Sequence, residues 1–180
     1  MTINFKDHFV LMATYNKRLN NQVYTTANSL TAQLLKQDCG AFFGSVFATL
    51  NHILVADLLW LKRFGNHPSN FTAVTATDNF PAFQSLDQIA YIDYDELRVA
   101  RKNLDEIIIS WIKNEISESD FSESVEYNDT RGNAYRRNFA ELLAHFFNHQ
   151  THHRGQVSTL LNQFGYDIGV TDFLIDIPSS

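Results

Sequence analysis

Four stretches of this 180-residue chain repeat apolar side chains at intervals of three and four, with turn-forming residues between them. A helix turns about 100° per residue, so this spacing gathers each apolar set on one side and demands a neighbour to cover it. The pattern predicts an all-α fold: a four-helix bundle with a long connection between helices two and three and a short hairpin before helix four. The first helix is expected from about Asn4 to Leu35 through Phe5, Phe9, Met12, Leu19 and Val23. The second is expected from about Gly40 to Phe64, with Phe43, Val46, Phe47, Leu50, Leu54, Leu58 and Leu61 on one side and Phe42, Ile53, Leu59 and Trp60 elsewhere. A helix so apolar is either central to the bundle or covered again by a subunit contact.

Gly65 to Pro81 is polar and reads as a crossover loop. Ser85-Leu86-Asp87-Gln88 has the form of a capping box and predicts the start of the third helix, which continues to about Ile116. Between Phe121 and Arg137, Ser124, Glu126 and Asn128 alternate with Val125 and Tyr127, and Asp129 to Asn133 supplies turn chemistry, so a short hairpin is expected. The fourth helix is expected from about Asn138 to Phe164, stopped by Gly165, and the apolar tail from Tyr166 to Pro178 is expected to pack on the bundle. With no internal repeat and no linker, residues 1–180 read as a single domain.

Composition narrows the class. Hydrophobic residues make up 44% of the chain, and it has only 7 Gly and 3 Pro, which disfavours disordered and low-complexity classes. Lys and Arg number 14 against 20 for Asp and Glu, a formal charge of −6, so no nucleic acid partner is expected. The start, Met1 to His8, lacks the features of a signal peptide, and Asp57 interrupts the longest apolar run. A soluble chain with no membrane partner is expected. Cys39 stands alone and can form neither an internal disulfide nor a cysteine zinc site, which suits a cytoplasmic location.

The chemistry concentrates in four of the seven histidines: His145, His149, His152 and His153. On a helix they span an arc of roughly 100°, and His149 and His153 lie one turn apart, the spacing at which two imidazoles converge on one ion. Continuing the seam Phe139, Leu142, Phe146 in steps of three and four reaches both. An unpartnered buried polar ring costs about 1–3 kcal/mol, so two at successive seam positions call for a common partner, and a metal ion supplies one. Hydrogen-bonded core histidines or a solvated face are the alternatives. A third ligand is needed, and His52 is the candidate, although it aligns with Ser45, Thr49, Ala56 and Leu59 rather than with the apolar stripe of its helix. His8 and His67 read as surface residues. A ferritin-like di-iron centre lacks its Glu-x-x-His pairs, and Cys39 reads as a buried thiol rather than a nucleophile.

Asn51-His52-Ile53 with Asp57 and Trp60-Leu61, and Asn148-His149-Gln150-Thr151-His152-His153-Arg154-Gly155-Gln156, resemble the DinB family over nearly the whole chain. That resemblance implies a divalent metal held by His52, His149 and His153, and a four-helix bundle commonly assembled as a homodimer. Family relatives with assigned roles look like thiol-dependent transferases and isomerases. The function expected is therefore that of a metal-dependent transferase or hydrolase-like enzyme acting on a small-molecule substrate. An ion such as zinc or nickel would activate a low-molecular-weight thiol or water. His152, Arg154 and Gln156 are candidates to orient ligands from behind the metal, with structural capping and packing as the alternative duty of each. The alternative is a non-catalytic metal-binding stress-response protein.

Overall fold

The computed structural model describes residues 4–179; Met1 to Ile3 and Ser180, the ends of the expected domain, lie outside them. The described chain is mostly helical, with five α-helices and one two-stranded sheet. Asn4 opens α1, Phe5–Ala27, by accepting a hydrogen bond from the Asp7 backbone N–H. The expected single helix to Leu35 is in fact two. The chain breaks at Asn28 to Leu30, and Thr31 caps a new short helix, α2, Ala32–Lys36, through the Leu34 N–H. Leu30, at 7% exposure, anchors the break in the core.

The next helix, α3, runs Val46–Phe64 and starts later than the expected Gly40. Gly44, with φ of 79°, closes a tight turn onto Ala41, and Ser45 then caps the helix at the Ala48 N–H. α3 is buried nearly all round, including Val46, Leu50, Leu54 and Leu61, and the cover comes from within the chain: α2, α4, α5, the first hairpin strand and a 3-10 turn at Ala73–Asn79. Of the two expectations for this helix, the central position is the one observed.

The largest departure is before α4, which runs Tyr94–Asn114 rather than from Ser85. Asp93 makes the stronger cap, accepting from the Asp95 and Glu96 N–H groups, and two acidic residues in the first turn suit the positive end of the helix dipole. Gln88 turns back instead to accept from the Gln84 N–H. A capping box does form, at Ser117 and Asp120, ahead of a 3-10 turn at Glu118–Ser122. The hairpin follows as β1, Ser124–Asn128, and β2, Ala134–Asn138, paired antiparallel with Tyr127 opposite Tyr135.

Asn138 caps α5, Phe139–Gln163, within one residue of expectation. One hydrophobic cluster joins Phe9, Val23, Leu54, Leu104, Trp111, Phe146 and Leu161. Around it α1 packs on α4 and α5, and α3 on α5 and α4. In the tail Ile168 is buried, and Arg18 holds Asp176 at 2.7 Å, while Leu174, Ile175 and Ile177 stay exposed. No helix among the described residues is long and apolar enough to cross a membrane.

Candidate metal centre

Where α3 crosses α5, His52, His149 and His153 meet. One ring nitrogen from each lies within 4.8 Å of the other two. The burial differs: His52 is 4% exposed, His153 is 9%, and His149 is half-buried at the edge of a cavity. The Phe43 ring, delivered by the turn before α3, stacks on His52 at 3.8 Å between centroids and closes one side.

Hydrogen bonds fix two of the three rings. A carbonyl can only accept, so the 2.8 Å contact between His52 Nδ1 and the Leu86 oxygen places the His52 proton on Nδ1. His153 Nδ1 likewise donates to Gln156 Oε1 at 2.8 Å, while the Gln156 amide nitrogen donates to His152 Nε2 at 3.2 Å. Each ring therefore turns an unprotonated Nε2 inward, and those two atoms stand 3.2 Å apart.

Two lone pairs at that distance repel unless a proton or a cation lies between them. A proton is disfavoured: burial holds the His52 and His153 imidazoles below their ordinary range. Burial first, and the neighbouring imidazoles second, push His149 down to about 3. Two nitrogens on one tetrahedral zinc, at about 2.0–2.1 Å each, stand about 3.3 Å apart, which the observed separation matches. His149 makes no hydrogen bond among the described residues, so its ring is the adjustable member. Three neutral nitrogen donors fit a borderline divalent ion.

A family model described as DinB family matches residues 2–179. The chain belongs to the DinB family. A relative named Protein DinB, from Bacillus subtilis (strain 168), is 24% identical over 160 residues, covering 88% of this chain and 87% of that protein. No solved structure matches the chain.

The other candidates in this DinB chain separate. Gln156 touches His153 and, with it, His152, which is itself exposed. Arg154 is turned away from the imidazoles; its guanidinium reaches Asn16, Asn20 and Thr151, and it stacks over Tyr15. This corrects its expected place behind the metal and leaves it the alternative, structural duty: on a helix the residue next to His153 points about 100° away, here toward α1. His145 lies outside the trio, 6.1 Å from His149 between ring centroids. His8 is exposed, but His67 is buried at 1%, packed between Phe71 and Phe139 and bonded to the Asp120 carbonyl, so its expected surface position is also corrected.

Two features of the site carry no sequence signal of their own. One is the Leu86 carbonyl, supplied by the segment that displaced the expected helix start; Tyr91 N–H bonding to Asn51 Oδ1 fastens the same segment beside His52. The other is a buried polar knot. Asp57 of α3 pairs with Arg101 of α4 at 2.5 Å, Arg101 with Asp105 at 2.8 Å, and Asp105 accepts from Asn20 and Asn16 of α1. Arg154 of α5 closes it through those asparagines. Burial pushes the Asp57 and Asp105 carboxyls up, against the pull of Arg101, and lowers Arg154 to about 10. Two acids and two arginines balance, which is the condition for charges to persist in a core.

Proposed function

We propose that this chain folds as one four-helix-bundle domain and holds a divalent cation, zinc or nickel, on His52, His149 and His153. We further propose that it works in the cytoplasm as a transferase or hydrolase-like enzyme on a small molecule. The observation that carries this reading is the pair of inward Nε2 atoms 3.2 Å apart, on two rings whose Nδ1 atoms are each hydrogen-bonded to an oxygen on the outer side. When bound, the ion acts as a Lewis acid that makes a coordinated low-molecular-weight thiol or water more acidic. The protein's part is to orient and to shield. Leu86 and Gln156 keep the Nδ1 protons of His52 and His153 outward, and Phe43 excludes water from one side. The cavity beside His149 leaves the other side open to a reactant.

Metal analysis of protein purified without an affinity tag tests the centre. About one equivalent is expected in the parent, with loss in His149→Ala and His153→Ala; unchanged content in both variants overturns it. One observation favours the non-catalytic alternative: no carboxylate hydrogen-bonds any of the three imidazoles among the described residues, so a ready general base is lacking. A metal-loaded protein that turns over no pairing of thiol with electrophile supports that alternative. The homodimer is retained as a proposal on family resemblance alone, since α3 finds its cover within the chain; light scattering at about two chain masses would support it.

A further inference from the structure

A cavity of about 470 Å³ opens from His149 toward the hairpin, within the usual range for a small-molecule site. Trp60, Arg63, Tyr127, Arg137 and His145 line it beyond the imidazole trio. The Arg63 guanidinium lies between two aromatic rings, 4.6 Å from the Trp60 centroid and 5.0 Å from that of Tyr127. One of its N–H groups donates to the Asn128 carbonyl, which fixes the fork without neutralising it. Arg137 rests over Tyr135 at 5.2 Å.

Arg18, Arg98 and Arg101 each hold a carboxylate within 3.0 Å, whereas Arg63 and Arg137, which share this cavity, have no ion-pair partner among the described residues. Two acids also line the cavity. Asp129 is occupied, its oxygens accepting from the Arg131 and Asn133 N–H groups and the Asn133 amide, which closes the hairpin turn. Glu141 is exposed and pairs with neither arginine. The field of both arginines reaches His145, whose imidazole burial and those two charges hold in the neutral form. A chain of net charge −6 thus keeps two guanidinium groups, neither in an ion pair among the described residues, around an aromatic-walled space that ends at the candidate metal centre.

We propose that this cavity binds a small molecule bearing a carboxylate, with Arg63 and Arg137 as its charge partners, Trp60 and Tyr127 as walls, and its reacting end directed at His149. Planar guanidinium forks match a carboxylate edge, and the rings hold the Arg63 fork at low entropic cost. The proposal rests on the three histidines holding a cation, because it is the cation that gives the far end of the ligand something to react with.

The test compares two thiols of the same carbon-chain length, 3-mercaptopropionate, which ends in a carboxylate, and 3-mercapto-1-propanol, which ends in a neutral hydroxyl, on the cobalt(II)-loaded full chain. The sulfur-to-cobalt absorption band and tryptophan fluorescence are followed as each thiol is titrated. The acid is expected to bind about tenfold or more tightly than the alcohol, the size of one charge-assisted hydrogen bond. Arg137→Gln, at an exposed position, is expected to reduce that preference while leaving alcohol binding and cobalt content unchanged, and the double variant with Arg63→Gln is expected to erase it. Equal affinities in the parent, or a preference undiminished in Arg137→Gln, overturn the carboxylate site alone. Failure of cobalt to bind overturns the metal centre, and this proposal with it.

Discussion

Which nitrogen of His153 is free to bind depends on one amide. Gln156 Oε1 takes the Nδ1 proton, and the other end of the same amide is held by His152, so the pair of contacts orients the ring from behind. Replacing Gln156 with Leu keeps the bulk and removes the acceptor. Metal affinity is expected to fall about 10–100-fold, the usual cost of losing such a partner, as read by chelator competition. The pH response follows from the same rings. All three imidazoles sit below their ordinary range, His149 at about 3, so between that value and the unfolded one near 6.5 the unfolded chain binds more protons. Stability of the metal-free protein is therefore expected to be full above about pH 6.5 and to decline as pH falls toward 3. Urea titrations at pH 7.5 and 5 in the presence of a chelator would check this, and His149→Leu should flatten the difference.

At the scale of elements, α5 was readable because each of its signals is local: Asn138 caps it, the seam runs through Phe139, Leu142 and Phe146, and Gly165 with φ of 84° follows its end. The start of α4 was not. Ser85 to Gln88 and Asp93 to Glu96 both offer capping chemistry, and the choice between them depends on what the intervening residues touch, here His52 and Asn51. The direction of His52 was hidden for a related reason. In a helix buried nearly all round, an apolar stripe no longer distinguishes inside from outside, so periodicity could place His52 off the stripe while tertiary packing still turned it to α5. The turn before α3 has a role beyond connection, since it presents Phe43 to His52. Ser45→Ala removes the cap that begins the helix at that turn, and a loss of about 1 kcal/mol in denaturant unfolding is expected.

For the molecule as a whole, two devices join the same helices. The imidazoles fasten α3 to α5 when a cation is present, and free metal at a hundred times its dissociation constant should add about 2.7 kcal/mol of stability, measurable as a raised Tm. The polar knot acts without metal. Removing one member, as in Asp57→Ala, leaves Arg101 buried beside Asp105 alone, and a loss of about 3–5 kcal/mol by denaturant titration is expected. Because α1, α3, α4 and α5 each contribute a member to that knot, no one of them can detach without stranding a charge or an amide in the interior. Partial opening is thereby penalised at every helix, so the slowest amide protons in all four should exchange with solvent together, at the rate of global unfolding.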